Sequence, residues 1–376
     1  MRILFIAPGN NVHTWKWVNW FGNKYPDEIG LIPYLAPPPD NQFERVRIFK
    51  PHIPLFRILS PISWKEIGRI RKIVHETKPG LLHAMWAYGS GLYAARSGFH
   101  PFLLSPWGSD VTVYPNRAGL KGRIQRNLVI EALSEADEIA ATSRFLSEAI
   151  SALIPEKKAP LIFPYGVDTS VFDPRKIISP LEFKWHENAP VGDDAVTIGF
   201  FKSLEPTYGP DILLNAIAIA SRKELRIRCV MGGRGTMLHA LIKLAKNLEI
   251  ADRVCFPGLI NHSDMPSALA AIDIFAMPSR YEVFGVVALE SSAMEKPVIV
   301  AEKWGMPEVI ENGVTGLFCE PENPGSLAEK ILALAENPDL RKSMGESGRK
   351  FVQRKFEFEK IMSDADEFCT GLIEAG

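Results

Sequence analysis

The chain is poor in cysteine: four in 376 residues, Cys229, Cys255, Cys319 and Cys369, far apart and with no C-x-x-C pair or nearby histidine cluster. That excludes a disulfide framework and a cysteine–histidine zinc site, and it suits a reducing compartment. Long apolar runs are missing too, since no stretch approaches the roughly 18 apolar residues needed to span a bilayer. The opening Met1 to Pro8 holds one arginine and a short apolar run, too little for a signal peptide and right for a first buried strand. Nothing is low in complexity, and no repeat of solenoid period is present. After Ile6 there is a single glycine, Gly9, so the G-x-G-x-x-G turn of a dinucleotide-dependent oxidoreductase is lacking. The only D-x-D, Asp364-Ala365-Asp366, falls in a terminal helical stretch, so neither a bound metal nor a cofactor is expected. A cytoplasmic protein, free or peripheral on the inner face of a membrane, fits these absences.

What is present suits two globular cores. The length is natural for two domains, with 46% apolar and 23% charged residues. Short β-rich runs at 3–7, 81–84, 102–105, 138–141 and 161–163 alternate with helical periodicity at 63–77, 89–97, 120–134 and 143–153. Such alternation predicts a parallel sheet covered by helices on both faces. The pattern lapses between Asp173 and Asp194, where Pro174, Pro180 and Pro190 sit among charges, and this reads as a linker. It then restarts, with strands at 196–200, 225–231, 254–256, 274–276, 298–301 and 316–319. The expectation is an α/β protein of two doubly wound, Rossmann-like domains, 1–172 and 195–355, with a linker at 173–194. Doubly wound sheets bind ligands at the carboxyl ends of their strands, which puts the ligand in a cleft between the domains. Residues 1–175 hold 21 Lys/Arg against 15 Asp/Glu, a balance of +6, and the remainder holds 22 against 29. Either this is ordinary surface variation, or the first half meets something anionic, through a basic run of Arg45, Arg47, Lys50, Arg57, Lys65, Arg69, Arg71 and Lys72.

The most informative segment is Pro278-Ser279-Arg280-Tyr281-Glu282-Val283-Phe284-Gly285, continuing Val286-Val287-Ala288-Leu289-Glu290. A strand runs into a turn and opens a helix near Phe284, and free amides at a helix start suit a phosphate. Glu290 is the lone charge in an otherwise apolar helix, either bonded to something in the cleft or sitting at the edge of the core. This string resembles the E-x7-E signature of the retaining glycosyltransferases of family four, which have the GT-B architecture. Lys296-Pro297-Val298-Ile299-Val300 and Trp304-Gly305-Met306-Pro307-Glu308 extend the likeness, which is strong from 196 to 334 and looser before. The resemblance implies Glu282 beside a donor sugar, Glu290 on the nucleotide ribose, and amides of Phe284, Gly285 and Val286 on the phosphate. It implies Lys202, just past a strand, as the main cation on a nucleotide diphosphate, because Tyr208 stands where a second basic residue is common.

By the same likeness Gly233 and Arg234 form a strand-end turn near the nucleotide, and Leu259 lies beside the base, although Arg234 also fits a plain surface residue. Gly9 and Asn10 follow the first strand, where glycine permits close approach to a donor. His13 resembles the family's entry to its first helix; it either meets the acceptor or packs the helix start. Trp107 replaces a histidine common in the family, and Asp110 remains as an acceptor contact. The segment Phe163 to Asp168 reads as a hinge support, and a terminal helix, 356–376, would cross back to the first domain. The implied activity is metal-independent, retaining transfer from a nucleotide diphosphate sugar to a sugar, polysaccharide-precursor or lipid-linked acceptor, with an anionic membrane surface as partner and no nucleic acid. A nucleotide-sugar epimerase of the same architecture and a non-catalytic sugar-nucleotide-binding partner are the alternatives.

Overall fold

The computed structural model describes residues 1–376 other than 41, 56–59 and 190–193. The chain forms two compact units, one of residues 1–165 with 360–376 and one of residues 166–359. Each is an α/β layer built on one all-parallel sheet.

The first unit contains β1 (Ile3–Pro8), β2 (Ile29–Tyr34), β3 (Val46–Ile48), β4 (Leu81–Met85), β5 (Phe102–Ser105), β6 (Glu138–Ala141) and β7 (Leu161–Ile162), in spatial order β3-β2-β1-β4-β5-β6-β7. The second contains β8 (Val196–Phe201), β9 (Ile227–Gly232), β10 (Val254–Gly258), β11 (Ile274–Met277), β12 (Val298–Ala301) and β13 (Gly316–Cys319), ordered β10-β9-β8-β11-β12-β13. Parallel strands need crossovers that cover both faces, so β1, β8, β11 and β12 are buried at every position. In each sheet the strand order reverses once, between β1 and β4 and between β8 and β11. Loops leaving the carboxyl ends there diverge to opposite faces and leave a crevice.

Two strands, β2 and β3, lie outside the sequence expectation. Gly30 and Pro33 interrupt β2, while β3 is short and only partly buried at the sheet edge, so neither shows a sustained pattern. The expected helix at 89–97 is a kinked turn, Ala87–Gly91, followed by Leu92–Ser97. The terminal helix, Phe358–Ala375, joins the first unit through Asp366, which accepts from Tyr25 and pairs with Lys24 at 2.8 Å. Among the described residues no helix is long and apolar enough to cross a membrane.

The stretch expected to link the domains differs most. The division between units lies after Tyr165, and the described part of 173–194 is fastened onto the second unit; Pro190 lies outside the described residues. Leu181 donates to Ser267, the Lys184 carbonyl accepts from Cys255, and Trp185 carries the Arg228 guanidinium 4.4 Å above its ring. Prolines and charges masked the aromatic anchors Phe183 and Trp185. The same stretch begins at a buried charge: Arg349 is 6% exposed, donates to the carbonyls of Phe172, Ala293 and Thr169, and lies 3.5 Å from Asp173.

Arg349→Ala leaves three buried carbonyls without their donor, each costing about 1–3 kcal/mol when unsatisfied, while Asp173 keeps Arg175. Urea unfolding of the variant should show that loss, and a change under about 1 kcal/mol would contradict it. The Asp173 carboxyl is held well below its ordinary range by Arg175, with Arg349 helping. Its stabilising contribution is therefore complete above about pH 4 and is lost as the pH falls below that.

Candidate active site

In the second unit the residues at the strand-order reversal meet. Lys202 directly follows β8, and Glu282 lies on the turn after β11, so neighbouring strands deliver the two side chains to one point. Lys202 Nζ is 2.6 Å from Glu282 Oε2, with the two side chains 21% and 14% exposed. The ammonium also stands 4.6 Å from the centre of the Tyr208 ring. Burial alone would lower the lysine pKa; the charge of Glu282 first, then the neighbouring Tyr208 ring, the Glu282 hydrogen bond and the charge of Glu290, more than offset it and raise it above the ordinary value. Lys202 thus stays cationic through neutral pH. Glu290, 5% exposed on the helix Val286–Ala293, is close enough to contribute to that field.

The turns that carry these groups are tied together. Arg280 makes a two-pronged pair with Asp211 at 2.8 Å on each prong and donates to the Pro206 carbonyl. Tyr281 N–H donates to Thr207, Trp304 Nε1 to the Arg280 carbonyl, and Gly305 N–H to the Glu282 carbonyl. The backbone of 280–282 is therefore held from both sides. Gly285 opens the helix Val286–Ala293 in the left-handed region, φ +67°, where an added Cβ would press on Met277 and Met306. No acidic residue occupies that helix's first turn. Gly233, at φ +149°, lets its turn approach the Lys202 carbonyl so closely that a Cβ would lie 2.0 Å from it.

Of the residues expected around a donor, Lys202, Glu282 and Glu290 converge, with Gly233 backing Lys202. Phe284 is a core residue, 3% exposed and edge-on to Phe356 at 5.7 Å, so it contributes backbone and packing instead of a side-chain contact. Arg234 is exposed, its carbonyl accepting from Leu204, and Leu259 is 56% exposed. Tyr208 reads differently here: the residue that marks a missing cation in the sequence is the aromatic face under the cation that remains. Sequence reasoning also missed Arg280, whose only signal was its place inside the motif.

In the first unit Gly9 is buried, its missing Cβ replaced by the backbone of Ala36–Pro38, while Asn10 is exposed. His13, whose amide is capped by Asn11, stacks on Tyr165 at 4.1 Å and meets Trp107 edge-on at 6.2 Å. These rings line a small pocket of about 10 Å³, room for one water, with Ser105 and Thr142. Asp110 does not offer itself to an acceptor. It is fully buried, and its carboxylate accepts from the amides of Ala87, Trp107 and Gly108. Burial raises its pKa, and those amides counter the rise. The carboxylate clamps the turn after β4 to the turn after β5 and so fixes Trp86 and Trp107. Several members of the basic run are likewise engaged: Arg69 with Glu66 and the Pro51 carbonyl, Arg71 with the carbonyls of Arg96 and Ser97, and Lys72 with Glu76. Arg57 lies outside the described residues.

Residues 182–351, most of the second unit, match the family model described as Glycosyl transferases group 1, and residues 2–143 match Glycosyl transferase 4-like. Both units thus match glycosyltransferase family models, and their two all-parallel α/β sheets are those of the GT-B architecture. An uncharacterized glycosyltransferase of Methanocaldococcus jannaschii is 28% identical over 331 residues, 86% of this chain and 84% of that one. The N-acetyl-alpha-D-glucosaminyl L-malate synthase of Bacillus anthracis is 28% identical over 258 residues, 68% of this chain and 64% of its own length. Among solved structures, Anabaena Alr3699/HepE in complex with UDP shares the fold with a TM-score of 0.78 at 19% identity, covering 99% of this chain and all of the other.

Asp110→Ala frees three amides at once, two of them buried, and a buried amide left unpaired costs about 1–3 kcal/mol. Thermal unfolding should shift down by several degrees and near-ultraviolet tryptophan signals should change. An unaltered melting temperature would return Asp110 to the role of an acceptor contact.

Proposed function

We propose that the chain is a glycosyltransferase, that its second unit binds a nucleotide diphosphate sugar and that its first unit supplies the acceptor site. The observation that carries the donor assignment is the Lys202–Glu282 pair set at the strand-order reversal, beside an unblocked helix start. In this reading Lys202 and the amides of Gly285 and Val286 hold the diphosphate, Glu282 meets a sugar hydroxyl, and the buried Glu290 accepts from the ribose hydroxyls. Alr3699/HepE, solved with UDP, supports a nucleotide of that kind.

Transfer breaks the bond between the anomeric carbon and the phosphate oxygen and forms one to the acceptor oxygen. Negative charge grows on the leaving diphosphate, so fixed positive groups placed there lower the barrier. The acceptor proton passes to the departing phosphate oxygen on the same face, which retains the anomeric configuration. Glu282 is tied to Lys202 and serves as a polar contact, not as a nucleophile. Charge stabilisation by Lys202 and the amides makes the reaction independent of divalent metal. The acceptor is a sugar or a lipid-linked sugar, and the protein works in the cytoplasm or on the inner membrane face.

Because Lys202 and Glu282 neutralise each other in the free chain, removing the lysine leaves an uncompensated carboxylate facing the phosphates. Lys202→Ala should weaken UDP binding by about tenfold or more and lower kcat/KM for UDP-glucose turnover at least about a hundredfold. In the double variant with Glu282→Gln, part of the lost UDP affinity should return, a coupling that calorimetry measures through the double-mutant cycle. Lys202→Ala with normal kcat and KM would remove this donor assignment. Turnover should persist in EDTA, and the anomeric proton coupling of the product should match that of the donor.

A further inference from the structure

Two carboxylates answer the ammonium of Lys202, Glu282 at 2.6 Å and Glu290 through its field. Position 208 gives it a neutral partner, a ring whose centre is 4.6 Å from Nζ. Cations sit over aromatic faces because the ring quadrupole is negative there, so this contact orients the ammonium and adds no charge. Arg280, on the neighbouring turn, is spent elsewhere. Asp211 takes two prongs of its guanidinium, and Glu322 lies 3.4 Å away.

The ring is fixed in place. Tyr208 ends the short turn Pro206–Tyr208, where the Pro206 carbonyl accepts from Arg280 and the Thr207 carbonyl from Tyr281. Gly209 follows at φ +66°, so close to the next turn that an added Cβ would strike the Pro278 carbonyl. The helix Pro210–Ser221 then begins, and the tyrosine packs against the core of the second unit. Three ties to residues 278–281 therefore hold position 208 to the stretch that carries Glu282. A side chain at 208 keeps a set distance from whatever Lys202 binds.

The donor and the product of a transfer from a nucleotide diphosphate sugar differ in charge at this point. The bond from the anomeric carbon to the phosphate oxygen breaks, and that oxygen keeps the electron pair and gains the acceptor proton. A terminal phosphate of this kind ionises again at about pH 6, so at neutral pH the product carries nearly one more negative charge than the donor. Every fixed cation beside the phosphates favours the product for that extra charge, and every carboxylate disfavours it. We infer that Tyr208 sets this balance: a neutral ring at Lys202, together with Glu282 and Glu290, keeps the spent nucleoside diphosphate from outbinding the sugar-bearing donor. Tyr208 is thus a specificity-determining residue that eases product release. The inference rests on the donor reading proposed above.

Calorimetric titration of the full chain with UDP and with UDP-glucose tests it. In the parent, UDP should bind no more tightly than UDP-glucose. Tyr208→Lys, and equally Tyr208→Arg, should tighten UDP about tenfold more than UDP-glucose, since each adds a charge beside the phosphates. Tyr208→Phe keeps the ring and should keep the parent's ratio of the two constants. A merely structural role for Tyr208 would move both ligands alike in all three variants. The inference is overturned if the charged variants change the ratio by less than about threefold, or if UDP already outbinds UDP-glucose in the parent. Failure of both nucleotides to bind the parent, or binding that Lys202→Ala leaves unchanged, would overturn the donor reading and this inference with it.

Discussion

A lysine kept four-fifths out of water governs the second unit. Taking an ammonium from water costs several kcal/mol unless other charges answer it, and Lys202 has Glu282 at 2.6 Å, the Tyr208 face and the field of Glu290. Those partners come from separate parts of the chain, and each needs its own support. Gly233 must lack a side chain for its turn to back Lys202, Arg280 must hold the Glu282 turn against Asp211, and Trp304 and Gly305 must close it from the other side.

The first unit solves the inverse problem. Asp110 is an anion with no access to water, and backbone amides, not a cation, answer it. Because those amides belong to two different turns, one carboxylate sets the direction of Trp86 and Trp107 together. Both units therefore place a buried charge at the carboxyl ends of their strands, and in both the charge organises the loops that a ligand would meet.

The sequence made the sheets legible, and it marked Lys202 and Glu282 singly because strand, turn and helix start follow one another without interruption around each; their pairing came only with the fold. It hid what depends on tertiary packing. Tyr208 looked like a loss, since a string of letters shows the absent cation and not the ring beneath the one that stays. Asp110 looked like an acceptor contact because its partners are backbone amides, which no side-chain pattern reports. The strap through Phe183 and Trp185 looked like a linker, its two anchors outnumbered by prolines and charges.

The first unit is discontinuous: residues 1–165 are completed by 360–376, with Arg2 donating to Thr370 and Tyr25 to Asp366. On the ribosome its last helix arrives only after the entire second unit has been made. At about 5–20 residues per second, that is a delay of roughly 10–40 s. Through that interval the surface that will receive the helix, around Tyr25 and Phe163, is uncovered, and the nascent chain is open to chaperone capture. The second unit, uninterrupted in sequence, can finish first although it is made later. Synthesis order and folding order are thus uncoupled in this chain, and a truncation that removes residues 360–376 would damage the unit that was made first.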